Sequence, residues 1–149
     1  MFDSHVHFDA APFRDDFERV VQAAKAAGVS GALNPGVDLA SSRRALQIHR
    51  QHDWILPAFG IHPLYLSTWE GAAPEVLDFE ALVAGEGYVA VGEIGLDFSR
   101  GRWDQGRQRA FLDAQARLAK RLCLPILLHV RRGFYEAFAA LREAGFDGA

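Results

Sequence analysis

Tyr88-Val89-Ala90-Val91-Gly92-Glu93-Ile94-Gly95-Leu96-Asp97-Phe98 is the stretch that decides the fold. Tyr88 to Gly92 is a continuous apolar run rather than an alternating one. A strand of that kind is covered on both faces, as in a parallel sheet. A carboxylate, Glu93, follows directly on the run, where an ionised group is costly unless it is paired or holds a cation. Gly92 and Gly95 flank it and allow backbone or ligand to come close. An apolar strand ended by a chemically active side chain is the pattern of a fold that gathers its site at the C-terminal ends of parallel strands.

The same unit recurs in both directions. Upstream, Phe2 to His5, Gly31 to Asn34 and Trp54 to Gly60 read as strands; downstream, so does Pro125 to His129. Helical spacing covers Phe13 to Ala27, where Phe13, Phe17, Val20, Val21 and Ala24 share a face. Pro12 suits the first turn of that helix and Gly28 its stop. Asp38 can cap a second helix running to about Gln51. Glu75 to Gly85, Asp104 to Leu122 and Gly133 to Ala144 complete the helices, with Phe111, Leu118 and Leu122, and then Phe134, Phe138 and Leu141, expected to face inward. Strict βα alternation allows a doubly wound sheet or a barrel. Polar residues at the ends of several strands favour the barrel. The expected fold is therefore α/β, a TIM-type (β/α)8 barrel cut off after about five βα units, with residues 1–149 as one incomplete domain lacking strands six to eight.

Composition agrees with a globular chain: 149 residues, 50% hydrophobic and 23% charged. A net charge of −3 argues against a broad basic face for duplex nucleic acid. It leaves a phosphodiester substrate open, because divalent cations can supply positive charge. Cys123 cannot form an internal disulfide and is expected as a small apolar core residue. No stretch reaches the ~20 apolar residues of a membrane span. The N-terminal residues carry no basic region followed by an apolar run. A cytoplasmic location and no membrane partner are expected.

Four strand ends carry the chemistry. His5 and His7, two apart, point the same way along a strand and can begin a divalent-metal site. Asp3 is either a hydrogen-bonding partner of nearby groups or a turn former. Glu93 is either a metal ligand, able to bridge two cations, or a salt-bridged rim glutamate. His129 ends the fifth strand and joins the ligand candidates because other strand ends also carry histidine. His62, in Gly60-Ile61-His62-Pro63, either touches substrate or is a turn histidine. Arg131 can pair with Asp97 or hold a phosphate. His49 and His52 read as surface residues, and Gln108, Phe111 and Gln115 as packing along one helix face.

Taken together, Asp3-Ser-His-Val-His-Phe-Asp9, Gly60-Ile-His-Pro63, Gly92-Glu-Ile-Gly-Leu-Asp-Phe98 and Leu124-Pro-Ile-Leu-Leu-His-Val-Arg131 resemble the TatD family of metal-dependent deoxyribonucleases, and Gln108, Phe111 and Gln115 fit as well. The resemblance covers nearly the whole chain. It implies an eight-stranded barrel, two divalent ions and hydrolysis of DNA phosphodiesters, often from the 3′ end. By motif position His5 and His7 would bind one ion, His129 the other, and Glu93 would bridge both and be catalytic. His62 and Arg131 would contact substrate. Related barrels can bridge with a carboxylated lysine, but Lys25 and Lys120 both fall on helices, so Glu93 fits the glutamate version. Histidine and carboxylate ligands admit Mg, Mn or Zn, and also Fe. The family continues with a histidine at the end of strand six and an aspartate at the end of strand eight. This chain reaches Ala149 about where strand six is expected. Open edges and self-association are then expected, with impaired activity. Two other readings stand beside this one: a small-molecule metal-dependent phosphoesterase or amidohydrolase, and a non-catalytic truncated remnant.

Overall fold

A computed structural model describes residues 1–68, 79–99 and 104–146. The elements in chain order are β1 (Phe2–Asp3), α1 (Phe17–Ala26), β2 (Gly31–Pro35), α2 (Leu39–Gln51), β3 (Ile55–Phe59), α3 (Phe79–Val83), β4 (Ala90–Asp97), α4 (Gln105–Arg121), β5 (Ile126–Arg131) and α5 (Phe134–Glu143). The strands form one sheet in the order β1-β2-β3-β4-β5, every neighbouring pair parallel. This is a half-barrel of five βα units with flanking helices. β1 and β5 are its two edges.

The burial of the strands follows from their sequence. All eight residues of β4 are buried; the strand, expected over Tyr88 to Gly92, begins at Ala90 and runs on to Asp97, so Glu93 and Asp97 lie within it rather than after it. Its core partners include Phe59, Ile61, Phe111, Leu112 and Leu118, below the sheet's central strands. A second cluster, Phe8, Val21, Ala32 and Ile55, sits beneath β1, β2 and β3. Gly28 lies at positive φ (84°) just after α1, as its stop requires. Asp38 caps α2: its Oδ1 accepts from the Ser41 N–H at 2.7 Å, and the Ser41 hydroxyl accepts from the Asp38 N–H at 2.9 Å.

Several expectations are corrected. The first helix begins at Phe17, because Ala11–Phe13 forms a separate 3-10 turn around Pro12. The third helix is described only from Phe79, since residues 75–78 lie outside the described ones. On α5 the buried residues are Ala137 and Ala140. Phe134 and Phe138, expected inward, are 58% and 61% exposed. Small side chains let the helix sit close to its neighbours, which leaves the rings of the adjoining face outward, while Leu141, also expected inward, packs against the core. Cys123 is exposed, not core. It follows the end of α4 with φ of 54°, a left-handed turn position that takes it out of the packed face. His49 and His52 are only partly exposed: His49 Nδ1 lies 2.9 Å from the Ile55 carbonyl, and His52 Nε2 lies 3.1 Å from Glu18 Oε1.

Gln108 and Gln115 do more than pack. The Asp97 N–H donates to Gln108 Oε1 at 2.7 Å, and Gln108 Nε2 donates to the Asp97 carbonyl at 3.0 Å. Gln115 treats Ile61 in the same way, at 2.7 and 3.2 Å. Each amide satisfies a buried peptide at or just beyond the end of a strand. Removing it would strand groups whose desolvation is worth about 1–3 kcal/mol each. These two clamps hold Asp97 and the Ile61–His62 segment in place for the site above them.

Candidate metal centre

His5 and His7 follow β1, where the chain still runs beside β2 through a Val6 N–H donating to the Leu33 carbonyl at 3.0 Å. Two further bonds fix this segment. The His5 N–H donates to Asp3 Oδ1 at 3.1 Å, and the Phe8 N–H donates to Asn34 Oδ1 at 2.8 Å. Both imidazoles consequently face the sheet's central axis, their Nε2 atoms 3.1 Å apart. Both also meet Glu93 Oε2, at 3.2 and 3.4 Å.

Glu93 reaches this point from within β4. Its N–H donates to the Gly36 carbonyl at 2.8 Å, and the side chain is 8% exposed. Gly60 permits the approach, because a Cβ there would strike the Glu93 backbone nitrogen. The second oxygen, Oε1, faces a second pair of histidines: His129 Nδ1 at 3.1 Å and His62 Nε2 at 3.7 Å. The two oxygens of one buried carboxylate thus each face two imidazoles.

His129 is held from both sides. Its Nε2 lies 3.1 Å from Asp97 Oδ2, and Asp97 also accepts from the Ser99 N–H at 2.9 Å. Gly95, between Glu93 and Asp97, lies at φ of 147° and passes so close to β5 that a Cβ would run into the His129 carbonyl. Protonated His129 donates to Glu93 from Nδ1 and to Asp97 from Nε2; when a metal displaces the Nδ1 proton, the Asp97 carboxylate keeps the remaining proton on Nε2. Of the two expectations for Arg131, pairing with Asp97 or holding a phosphate, the first is not met, because Asp97 faces His129. The even spacing of Asp97 from Glu93, on the same strand face, was the signal for the cluster instead. Arg131 is exposed at the end of β5 and, among the described residues, forms no ion pair with Asp97. Asn34, which anchors the His5–His7 segment, reads in sequence only as the end of the second strand; nothing local marks its contact with Phe8.

The electrostatics follow from this geometry. Burial works to raise the Glu93 pKa, but hydrogen bonds from His129 and His7 outweigh it and hold the carboxyl well below its ordinary range. The hydrogen bond to Glu93 raises His7 against the opposing effect of burial, and the same bond, with Asp97, raises His129. Burial works on Asp97 in the upward direction too, but the Ser99 bonds and His129 bring it to about 2. His62 differs: burial pushes it down to about 4, so it is neutral near pH 7. Its Nδ1 accepts from the Leu64 N–H at 3.1 Å, which leaves the proton on Nε2.

His5, His7 and Glu93 form one group of donor atoms able to hold a metal ion; His62, Glu93 and His129 form another. The donor chemistry fits a divalent cation. Imidazole nitrogens and a carboxylate converge at hydrogen-bond distance with too few protons to satisfy them all. Within the second group His62 fits less well as a ligand than its neighbours, because its inward nitrogen carries the proton.

A parallel half-barrel whose strand ends gather histidines around one carboxylate defines the class: a (β/α)-barrel protein with a candidate metal centre. The chain belongs to the TatD related DNase family, which it matches over residues 2–149. It is 37% identical over 142 residues to the 3'-5' ssDNA/RNA exonuclease TatD of Erwinia tasmaniensis, covering 95% of this chain and 54% of the relative. Against the exonuclease of the same name from Escherichia coli the identity is 36% over 148 residues, covering 99% of this chain and 55% of the relative. The chain thus spans about half the length of these curated relatives. The crystal structure of a TatD homologue from Escherichia coli superposes with a TM-score of 0.81 at 31% identity, covering 100% of this chain and 61% of the other. An uncharacterized amidohydrolase from Saccharomyces cerevisiae shares the fold, with a TM-score of 0.79 at 19% identity over 95% of this chain and 51% of the other.

Proposed function

We propose that this half-barrel supplies the metal-binding part of a nuclease that hydrolyses phosphodiester bonds in single-stranded nucleic acid, DNA in the first place and from the 3′ end. The observation that carries the reading is the double-sided Glu93, with His5 and His7 on one oxygen and His129 on the other. Similarity to relatives named as 3'-5' ssDNA/RNA exonucleases supports the substrate class.

In this reading His5 and His7 would hold one divalent ion and His129 a second, with Glu93 offering one carboxylate oxygen to each group. Mg, Mn and Zn all suit the ligands. Bound ions would supply Lewis acidity to a phosphoryl oxygen and make water acidic enough to attack it. The chain's own residues do the rest. Glu93 is anchored by its backbone, so its two oxygens stay fixed with respect to both histidine pairs. Asp97 keeps His129 in the tautomer that offers Nδ1. His62, neutral and protonated on Nε2, donates to a non-bridging phosphate oxygen. Arg131 contributes positive charge at the exposed rim of β5. The family resemblance places further ligands on later strands, so we expect turnover from this half-barrel alone to be impaired.

The direct test compares turnover of a single-stranded oligodeoxynucleotide with that of a small phosphate ester, with and without added Mg or Mn. Metal-dependent shortening of the oligonucleotide from its 3′ end is expected. Turnover of the small ester with none of the oligonucleotide would hand the site to the phosphoesterase reading.

We propose further that this chain pairs with a second copy through its open edges. Phe134, Tyr135 and Phe138, 58%, 91% and 61% exposed, lie on α5, the helix that follows β5, an edge strand among the described residues. Burying one such side chain is worth roughly 1.5–3 kcal/mol, and an unpaired edge recruits another strand. Sedimentation should show concentration-dependent association that Phe134→Ser with Phe138→Ser weakens. A monodisperse monomer with a cooperative thermal transition would overturn it.

A further inference from the structure

Next to the histidine–carboxylate cluster the surface opens into a cleft of about 350 Å³ whose lining includes His7, Asp9, Arg14, Asp38, Arg44 and Tyr65. A second cleft of about 280 Å³ shares Asp9, Arg14 and Arg44 with it and continues to Phe13 and Phe17. Arg14 and Arg44 therefore stand on the wall common to both, and His7 connects the first cleft to the cluster. Neither arginine belongs to the motifs that mark the centre.

Charge in this groove is sorted by depth. Asp9 is 6% exposed and lies at the bottom, 3.3 Å from Arg44 Nη2, while Arg44 is 46% exposed. The second Asp9 oxygen has no hydrogen-bond partner among the described residues. The Asp38 carboxylate is occupied in capping α2. An incoming molecule therefore meets the exposed Arg44 guanidinium over a buried Asp9 side chain, with Asp38 engaged in the cap. The Asp9 contact uses one nitrogen of the Arg44 fork and leaves other N–H groups for a ligand. At the cluster end of the groove Tyr65 is 43% exposed, its ring 5.7 Å from His62 and nearly perpendicular to it. A half-exposed aromatic beside cationic side chains is how proteins hold single strands: phosphates on the cations, a base on the ring.

We propose that this groove is the track for the strand adjoining the bond at the cluster, with Arg14 and Arg44 binding successive backbone phosphates and Tyr65 stacking a base. The proposal rests on the nuclease reading above and adds residues to it. It selects single strands, because a duplex would hide the base faces that Tyr65 needs. Asp9 is a positioning residue, acting through Arg44.

Fluorescence anisotropy with a labelled oligothymidylate tests it, using metal-free protein in EDTA so that no cleavage occurs, across a salt series. Arg14→Ala and Arg44→Ala are each expected to weaken binding ~3–10-fold and to flatten the slope of log affinity against log salt by about 0.7 for each phosphate no longer neutralised. Tyr65→Ala should weaken binding with the slope unchanged. Arg44→Ala also leaves Asp9 unpaired in the interior, so Arg44→Lys is made beside it and should keep the slope while losing part of the affinity. Wild-type binding and slope in both Arg14→Ala and Arg44→Lys would overturn the groove, as would wild-type protein with no salt-dependent binding. The parent reading fails separately, if the wild type with metal added cleaves no oligonucleotide.

Discussion

Glu93→Ala should remove metal from the protein and lower its phosphodiester hydrolysis by ~10³-fold or more, beyond the ~10²–10³ that removal of a single oxyanion donor costs. The reason is the two-sided arrangement. Oε2 faces His5 and His7, and Oε1 faces His129 and His62, so one substitution dismantles both donor groups. It also takes away the counter-charge that draws the imidazoles together. Glu93→Gln keeps shape and volume and separates packing from ligation; metal content measured after dialysis should fall for both variants. His129→Ala, in contrast, leaves His5, His7 and Glu93 in place and should spare part of the metal. Wild-type metal content and turnover in Glu93→Ala would sink the assignment.

The second large effect is a competition between metal and protons. His7 and His129 have pKa values raised above the ordinary 6.5 by their bonds to Glu93. A raised pKa means that protonated imidazole persists to higher pH, and a protonated imidazole cannot ligate. Metal binding must displace those protons, so affinity falls as pH falls, and the fall begins above the ordinary histidine value. Each displaced proton is worth at most about tenfold per pH unit, so two give up to about 100-fold per unit. Glu93 is held well below the usual carboxylate range and stays ionised throughout. His62, at about 4, stays neutral and adds nothing until strong acid. Isothermal titration with Zn²⁺ or Mn²⁺ between about pH 5.5 and about pH 8 reads the slope. An affinity flat across that range, dropping only where carboxylates titrate, would exclude the histidines as ligands.

Sequence periodicity determined the architecture: five short strands, four of them apolar runs, alternating with amphipathic helices, and a parallel sheet because those runs do not alternate with polar residues. It also marked candidates: His5 and His7 by their spacing at a strand end, Glu93 by its place directly after an apolar run, and His129 as a further histidine at a strand end. These are local signals, carried by neighbouring residues.

What only the tertiary structure decided depends on interactions between distant segments. Gln115 meets Ile61 across 54 positions and Asn34 meets Phe8 across 26, and no local pattern records either. Asp97 faces His129 rather than Arg131, because Gln108 clamps its backbone and Gly95 lets β4 run close to β5. The aromatic stripe on α5 reads as a core face in sequence. It faces outward because close packing against the helix's neighbours selects the small face, Ala137 and Ala140. Hydrophobicity states which residues gain from burial; the distance between the helix and its neighbours states which of them fit.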